Sequence, residues 1–369
     1  MQSVTIGKNQ AGQRLDKFLH KYLPLAGSSF LYKMLRKKNI TLNGKRAEGK
    51  EILAEGDVVQ CFFSEETFAK FAGRDVATVR KTMTEEIVGN APSNMTPVSV
   101  VQMVPAMEAY EKVFRQISGI TVLYENENVV VLDKPAGILT QKAENRDLSI
   151  NEWVIGYLLE KGALSVEELH TFRPSVCNRL DRNTSGIVLC GKSLKGSQYL
   201  SQIIRDHSLR KFYRTICVGE IYDDIELEGY LWKDPAANKV TISKQQPRTD
   251  ISRTSAKKGT EKSGTNYIHT AFHPQQIVGG FTLLEVELFT GKTHQIRAHL
   301  ASIGHPIIGD HKYGDRKVNE RFQREFGLKY QLLHAYRVEF PKTFEIQLPN
   351  QIVDPYPEQF GNILNKLGF

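Results

Sequence analysis

One aspartate in this 369-residue chain lies in a segment that suits nucleophilic chemistry. The segment reads Asn178-Arg179-Leu180-Asp181-Arg182-Asn183-Thr184-Ser185-Gly186, so that Asp181 stands between an arginine, small hydroxyl residues and a glycine. A neighbouring positive charge favours the ionised carboxylate. The chain can then turn at Gly186 into an apolar run, Ile187-Val188-Leu189-Cys190, which predicts a buried strand. An isolated Asp-Arg pair is more often a surface ion pair, so the rest of the chain must decide between these interpretations.

Three more segments extend the pattern. They are Val130-Val131-Leu132-Asp133-Lys134-Pro135-Ala136-Gly137, Lys211-Phe212-Tyr213, and Leu288-Phe289-Thr290-Gly291-Lys292-Thr293-His294-Gln295-Ile296-Arg297-Ala298-His299 followed by Gly304-His305-Pro306-Ile307-Ile308-Gly309-Asp310. Together the four segments resemble, in order and spacing, the RluA-like family of RNA pseudouridine synthases. The resemblance covers roughly residues 119–346. One position departs from the family pattern, because Asn178 stands where the family usually has histidine.

The resemblance implies three catalytic residues. Asp181 is expected to be the nucleophile, Arg297 to pair with it, and Tyr213 to offer its ring to the uracil and its hydroxyl to a proton transfer. The structural alternatives are a phosphate contact for Arg297 and a place in the sheet core for Tyr213. The residues expected to bind or support the substrate are Arg179, Leu180, Thr184, Lys134, Lys292 and His294. No role is assigned to Gln141, which stands near a position where the family commonly has histidine.

The implied reaction sets the requirements of the site. Conversion of uridine to pseudouridine breaks a carbon-nitrogen glycosidic bond and rejoins the base through carbon, with no redox change, so no cofactor is expected. The target base must be unpaired or flipped out of its helix. No metal site is expected, because His294 and His299 lack the glutamate of a zinc-protease helix and their spacing does not place them on one helix face.

The composition favours a nucleic-acid partner. The formal charge is +8 and the isoelectric point is about 9.1, as is common for proteins that bind polyanions. The four cysteines are widely spaced and are expected to be reduced thiols. The N-terminus lacks the apolar stretch of a signal peptide, and no apolar run is long enough to span a membrane. We therefore expect a cytoplasmic protein that acts as a monomer and has no membrane partner.

Residues 1–63 are predicted to form a small basic module. A helix is expected over residues 15–23, a second helix is expected to be capped by Ser28-Ser29, and the turn Asn43-Gly44 predicts a hairpin. This order resembles the alpha-L RNA-binding domain. The residues expected to hold RNA phosphates are Lys33, Arg36, Lys37 and Arg46. A solvated basic face is the alternative interpretation.

The remaining chain divides into three parts. Residues 64–118 are interpreted as a linker or insert of unknown role with helical pieces, residues 119–346 as the catalytic domain, and residues 347–369 as a C-terminal tail. Within the catalytic domain we predict helices over 149–161 and 195–207, a hairpin over 120–132, and strands over 211–219, 281–289 and 332–340. The polar stretch 243–266 is predicted to be a flexible loop or, alternatively, a loop that grips phosphates. The expected fold class is α+β, with a mixed, largely antiparallel sheet implied by the resemblance.

The functional hypothesis is an RNA pseudouridine synthase that modifies large-subunit ribosomal RNA. A transfer RNA pseudouridine synthase is the nearest alternative. A non-enzymatic, ribosome-associated RNA-binding protein is a second alternative, and it would not need Asp181. A retaining glycosidase or nucleosidase is a third, but such enzymes normally use two paired carboxylates, and the sequence presents only one.

Overall fold

The protein forms two separate β-sheets, each packed against helices. The structure is a computed structural model and describes residues 2–72, 108–144, 146–165, 168–234, 239–243, 267–342 and 346–369. Within these ranges, a four-stranded sheet lies near the N-terminus and an eleven-stranded sheet occupies the rest of the chain. The expected α+β fold class is confirmed. None of the helices in these ranges is long and apolar enough to cross a bilayer.

The first sheet belongs to an N-terminal unit, residues 2–72. Its elements are β1 (Gln2–Thr5), α1 (Leu15–Tyr22), α2 (Ser28–Arg36), β2 (Ile40–Leu42), β3 (Lys45–Arg46), β4 (Val58–Cys61) and α3 (Glu65–Ala72). The strands are antiparallel in the order β1-β4-β2-β3. Both predicted helices are present, but the predicted serine cap is wrong. Gly27 is the N-cap of α2, and the hydroxyl of Ser28 instead lies 2.9 Å from Nε2 of His20.

The predicted hairpin joins β2 to β3 through Asn43-Gly44. Both turn residues have positive φ angles, 50° and 71°, which a two-residue turn between twisted strands requires. The Asn43 side chain accepts from the Val58 amide at 2.7 Å and donates to Asp57 at 2.8 Å. The turn is therefore held against the beginning of β4.

Helix α3 extends the N-terminal core beyond residue 63, where the sequence suggested that the module would end. Phe68 is buried in the same apolar cluster as Phe18 and Leu19. The ring of Phe71 lies 4.2 Å from that of Phe30. Helix α3 therefore belongs to the packed unit. Residues 73–107, which make up most of the predicted linker, lie outside the described residues.

The second sheet is mixed and largely antiparallel, as expected. Its strands are β5 (Thr121–Glu125), β6 (Val129–Lys134), β7 (Ser175–Val176), β8 (Ser185–Gly191), β9 (Arg210–Val218), β10 (Ile225–Asp234), β11 (Lys239–Ser243), β12 (Tyr267–Val278), β13 (Phe281–Leu288), β14 (Leu333–Glu339) and β15 (Gln351–Val353). Their main order is β11-β10-β12-β13-β9-β14-β8-β6-β5, with β15 beside β14 and β7 beside β8. Among the described strands, only β8 and β14 pair in parallel. The predicted strands are present, while residues 244–266 of the predicted polar loop lie outside the described ranges.

Helices cover both faces of this sheet. They are α4 (Ile150–Glu160), α5 (Leu194–Arg205), α6 (Gln295–Ser302), α7 (Arg316–Phe326) and α8 (Glu358–Leu367), together with a helical segment over 108–116. Helices α4 and α5 are those predicted over 149–161 and 195–207. Helix α4 is apolar on most sides and is therefore buried, between the sheet and the 108–116 segment. Ser193 caps α5 by accepting from the Gly196 amide at 3.0 Å.

The C-terminal residues are part of the packed fold rather than the tail that the sequence suggested. Strand β15 pairs with β14, and Phe360, Ile363 and Leu364 of α8 are buried in a cluster with Ile216 and Phe322. A short strand and one amphipathic helix carry too weak a pattern to reveal this packing before the sheet that they cover is known.

A buried polar cluster fastens the C-terminal residues behind the start of β8 and β14. The Ser185 hydroxyl lies 2.9 Å from Nδ1 of His334, and Asp354 is hydrogen-bonded to Asp133. Burial and the neighbouring Asp133 raise the pKa of Asp354 to about 8. Burial lowers the pKa of His334 to about 4, so this ring is neutral near pH 7. Asp354 is therefore protonated near pH 7 and can donate to the neighbouring Asp133 carboxyl group.

We expect the proton held by Asp354 to make stability fall as the pH rises, whereas the lowered pKa of His334 acts in the opposite direction below about pH 6.5. An unfolded aspartate loses its proton at about pH 4, whereas folded Asp354 keeps it up to about pH 8. Between these values the native state binds more protons than the unfolded state, so the free energy of unfolding decreases with pH. Asp354→Asn removes the titration and can still donate to Asp133, so its stability should decrease less over this range. Urea unfolding at intervals from pH 5 to pH 9 measures the difference.

Asp223→Asn provides the control, because Asp223 is an exposed carboxylate of the same sheet domain. This variant should follow the wild-type pH profile. If the free energy of unfolding of Asp354→Asn changes with pH in the same way as that of wild type, the proton on Asp354 does not contribute to stability.

Candidate active site

The loop that carries Asp181 is fastened to β8 by Asn178. The Asn178 side chain donates to the Ile187 carbonyl at 3.1 Å and accepts from the Leu189 amide at 2.7 Å. The Thr184 amide donates to the Asp181 carbonyl at 3.1 Å and closes a turn. Asn178, the residue that departs from the family pattern, therefore positions the loop.

Gly186 is required where the loop enters β8. Its φ angle is +111°, and a Cβ atom at this position would lie 2.3 Å from the Ala335 carbonyl oxygen. This close approach permits the parallel pairing of β8 with β14. The glycine of the Thr-Ser-Gly sequence therefore brings the catalytic loop against the end of a second strand.

Lys134 lies beneath the loop and does not line the cavity, so the expectation that it binds substrate is corrected. Its ammonium group is fully buried and donates to the carbonyls of Pro135 at 3.0 Å, Ile138 at 2.9 Å and Arg182 at 3.0 Å. Burial lowers the pKa of Lys134 to about 7, against the opposing effects of Asp181 and Asp133. Lys134 therefore ties the Lys-Pro-Ala-Gly turn to the catalytic loop.

Arg297 joins two carboxylates. Its Nη1 donates to Oδ2 of Asp181 at 2.8 Å, while Nε and Nη2 donate to Asp310 at 2.7 and 2.9 Å. Asp310 is buried, which by itself raises its pKa, but Arg297 and the backbone amides of Lys312 and Tyr313 bring that pKa below its usual value. The Asp310 carboxylate therefore stays charged and fixes the orientation of Arg297, which in turn holds Asp181.

His294 lies near the same oxygen of Asp181 that Arg297 contacts. Its Nε2 is 3.8 Å from Oδ2 of Asp181, and its Nδ1 is 3.0 Å from the Tyr313 hydroxyl. The residue precedes α6 in a left-handed conformation, with φ at 57°. Burial is the main cause that lowers the pKa of His294 below its ordinary value. The neutral ring can therefore donate or accept a hydrogen bond without adding charge.

Tyr213 and Lys211 both reach the cavity from β9, because residues two apart on a strand share a face. Burial and the charge of Asp181 raise the pKa of Tyr213, so its hydroxyl is protonated at neutral pH. Burial lowers the pKa of Lys211. Lys211 had no predicted role, although its spacing from Tyr213 placed it on the same face.

These side chains surround a catalytic cavity of about 680 Å³. The predicted residues that line it are Asp181, Tyr213, Arg297, Arg179, Leu180, Thr184, Lys292 and His294. Arg179 and Lys292 are exposed, whereas Leu180 and Thr184 are buried at its base. Sequence reasoning gave no role to Thr140, which lines the cavity and exchanges hydrogen bonds with the Leu180 backbone at 2.9 and 3.2 Å. The predicted RNA-binding residues Lys33, Arg36, Lys37 and Arg46 are exposed in the N-terminal unit.

Asp181 is the one carboxylate among the described residues that line this cavity. A glycosidase of the usual kind needs a second carboxyl group across the scissile bond. Asp310 cannot fill that place, because Arg297 stands between it and Asp181. The arrangement therefore fits a single aspartate nucleophile.

One group of potential metal ligands occurs in the described ranges. Glu226, Glu228 and His269 bring three ligand atoms within 4.8 Å of one another, and both glutamates are exposed. They lie on β10 and β12, and none of them lines the catalytic cavity. Exposed acidic groups of this kind are common at sheet surfaces.

Comparison with known proteins agrees with the chemistry of the cavity. Residues 128–302, which hold Asp181, Tyr213 and Arg297, match a family model described as RNA pseudouridylate synthase. Residues 128–302 are thereby identified as an RNA pseudouridylate synthase domain. The resemblance found in the sequence and the expected isomerase activity are thereby confirmed.

Relatives of this synthase match over nearly its whole length. The "Ribosomal large subunit pseudouridine synthase C" of Vibrio vulnificus is 27% identical and covers 100% of the chain and 96% of that relative. An uncharacterized RNA pseudouridine synthase of Mycoplasma genitalium is 25% identical over 93% of the chain and 90% of its own length. The solved structure "Human RNA Pseudouridylate Synthase Domain Containing 4" has a TM-score of 0.51 at 21% identity and covers 73% of this chain and 97% of that one. The likeness to the solved structure supports the fold.

We expect Lys134→Met to impair both stability and turnover of the synthase. The change removes the donor to the carbonyls of Pro135 and Ile138 and one of the two donors to the Arg182 carbonyl, which keeps the Gly137 amide. Each unsatisfied buried group costs about 1–3 kcal/mol. The catalytic loop should then lose its fixed position, so kcat should fall even where the protein is folded. Urea unfolding and kcat for pseudouridine formation are measured on the same preparation.

Lys192→Met is the matched control. Lys192 is also mostly buried and ion-paired, to Glu125, but it lies outside the cavity. It should lower stability and leave kcat of the folded enzyme unchanged. Equal kcat for the two variants would contradict the role given to Lys134.

Proposed function

We propose that this synthase isomerises uridines in large-subunit ribosomal RNA. Relatives that carry this activity in their names match both the N-terminal unit and the catalytic domain. The single observation that carries the chemistry is the contact of 2.8 Å between Asp181 and Arg297 at the base of a cavity with no second carboxylate among its described lining residues. The second candidate substrate is transfer RNA.

In this proposal Asp181 supplies the nucleophilic oxygen. Its charge is balanced by Arg297, which Asp310 holds in place. While the bond between C1′ and N1 breaks and the bond between C1′ and C5 forms, the base must turn without leaving the site. Tyr213 lines the cavity, and its ring can stack on the uracil. Its protonated hydroxyl can accept the proton from C5 only while it passes on its own proton, and N1 of the product gains a proton in exchange for the one that C5 loses. No cofactor takes part in these steps.

The remaining cavity residues have positions suited to RNA. Arg179 and Lys292 are exposed at the cavity and offer positive charge to phosphates. Leu180 and Thr184 shape the base of the cavity, and neutral His294 offers a polar ring near Asp181. A flipped base would replace lost stacking by contact with these walls.

The N-terminal unit is proposed to be an alpha-L RNA-binding domain. Lys33, Arg36 and Lys37 are exposed in or just after α2, and Arg46 is exposed in β3. Among the described residues none of these cations forms a salt bridge, so their charge remains available to phosphates. Cations that neutralise phosphates supply affinity without reading sequence.

We further propose that the catalytic domain spans residues 119–346, extended by the packed C-terminal residues, and that the enzyme works as a cytoplasmic monomer. The proposal of a monomer is supported by the meeting of Asp181, Tyr213 and Arg297 in one cavity within a single chain.

Mapping pseudouridines in total ribosomal and transfer RNA tests the substrate. A strain lacking the gene should lack one or more pseudouridines of large-subunit ribosomal RNA, and the wild-type gene should restore them. Asp181→Asn should restore none, because the amide has the same volume and no nucleophilic carboxylate. If pseudouridines are lost only from transfer RNA, the substrate is transfer RNA. If the Asp181→Asn protein restores a normal yield of pseudouridine, Asp181 is not the nucleophile.

The role of the basic surface is tested by the salt dependence of RNA binding. Replacing Lys33, Arg36 and Lys37 together by Gln should weaken binding and reduce the slope of log affinity against log salt by about 2–3, since each neutralised phosphate contributes about 0.7–0.9. The matched control replaces Lys317, Arg324 and Lys329, three exposed cations of the same types. It should keep the wild-type slope. If the two triple variants behave alike, the N-terminal unit does not bind phosphates through α2.

A further inference from the structure

A second cavity adjoins the catalytic cavity. Its volume is about 310 Å³, and Leu139 and Arg182 line both cavities. Binding sites for small organic molecules begin at roughly 300 Å³. The second cavity is therefore large enough for one small ring system and lies directly beside the site of the target uridine.

The walls of the second cavity combine apolar surface with a few polar groups. Buried Ile117 and half-buried Ile138 and Leu139 form apolar parts of the lining, and Leu148 keeps 40% of its surface exposed. Gln116 is exposed at the end of the 108–116 helical segment and offers an amide that can both donate and accept. Such walls suit a flat heteroaromatic ring whose faces are apolar and whose edges are polar.

Arg182 connects the two cavities. Its carbonyl accepts from the Gly137 amide at 2.8 Å and from Lys134 at 3.0 Å, so its backbone is fixed. Its side chain is exposed, and no described residue forms a hydrogen bond or salt bridge with its guanidinium. The nearby carboxylate of Asp147 is engaged with the amides of Ala143 at 3.0 Å and Glu144 at 2.8 Å. The Asp147 carboxylate, which also lines the second cavity, attracts Arg182 but forms no hydrogen bond with it, so the guanidinium can still donate to an anion outside the protein.

The position of Arg182 identifies that anion. Arg182 directly follows Asp181 and lines both cavities, so a phosphodiester next to a uridine held at Asp181 would lie within reach of its guanidinium. The next base along the strand then reaches the second cavity. We propose that the second cavity receives the base next to the target uridine, while Arg182 binds the phosphate between the two nucleotides.

This inference deepens the proposed function, on which it rests, by adding a determinant of sequence context. Enzymes that act on flipped bases select their sites partly through the flanking nucleotides. Contacts between Arg182 and phosphate position the strand, and contacts within the second cavity discriminate between bases. The nucleotide beside the target should therefore influence kcat/KM.

The test uses an RNA that carries a uridine identified by the mapping experiment. The base on its 5′ or its 3′ side is replaced in turn by an abasic ribose. Wild-type enzyme should lose activity on one of the two substitutions. Base stacking on a protein is worth roughly 1–3 kcal/mol, which corresponds to a loss in kcat/KM of roughly 5- to 150-fold.

The double variant Gln116→Ala/Leu148→Ala assigns this loss to the second cavity. It should show reduced kcat/KM on intact RNA and little further reduction on the abasic RNA. Gln323→Ala, which alters an exposed glutamine of α7, should retain the full wild-type loss. Arg182→Gln should lower the salt slope of binding by about 1, as expected for one phosphate contact.

Three outcomes would overturn the inference. They are equal wild-type activity with either neighbour abasic, a full abasic penalty in the double variant, and an unchanged salt slope for Arg182→Gln. None of these affects the proposed substrate. That proposal fails instead if the mapped pseudouridines are absent from large-subunit ribosomal RNA, and the same abasic test then applies to the RNA in which they are found.

Discussion

The site depends on a guanidinium held between two carboxylates. Arg297 is almost fully buried, and burying an arginine is unfavourable unless its charge and its donors are satisfied. Asp310 satisfies two donors from behind, and Asp181 takes a third on the cavity side. This requirement fixes the start of α6 and the turn that carries Asp310. It also explains why the two aspartates have different roles: one is enclosed and positions the arginine, and the other faces the space where a substrate can enter.

A second buried cation completes the frame. Lys134 draws the carbonyls of two loops to one point, and Gly186 allows the catalytic loop to lie against β14. Neither residue touches the cavity. Both hold distant segments of the chain together, and the Gly137 amide adds a further contact between the Lys-Pro-Ala-Gly turn and the aspartate loop by donating to the Arg182 carbonyl at 2.8 Å. Part of the wall of the second cavity, Ile138 and Leu139, follows directly after this turn, so the contacts that hold the loop of Asp181 also shape the second cavity.

The sequence predicted the residues that line the cavity better than those that hold them in place. Asp181, Tyr213 and Arg297 belong to segments with recognisable motifs, and the structure gathers them in one cavity. Lys134 was misread because a lysine in a motif is expected to face the ligand, whereas β6 is buried on both sides and turns the ammonium toward carbonyls. The pairing of Asp133 with Asp354 joins residues from distant parts of the chain, and no local pattern signals it. Helix α3 was placed in a linker because its packing on the N-terminal core is a tertiary effect.

The proposed function gives the two units different tasks: the N-terminal unit supplies affinity for RNA, and the cavities select the uridine. The N-terminal unit contacts the catalytic domain through Gln10, which donates to Thr171 at 2.6 Å, and Asn9, which donates to Glu168 at 2.8 Å. Its exposed cations thus belong to the same body as the cavity and can raise the local concentration of any RNA. Nonspecific attraction cannot decide which uridine is flipped, because phosphates are alike along the strand. Unstacking a base costs a few kcal/mol, and only contacts made after flipping can offset it. In the proposed complex, such contacts come from the cavity walls around Tyr213 and from a neighbouring base held in the second cavity. They form fully only when the RNA has the right sequence beside the target. The enzyme would therefore discriminate between uridines at the step that flips the base toward Asp181.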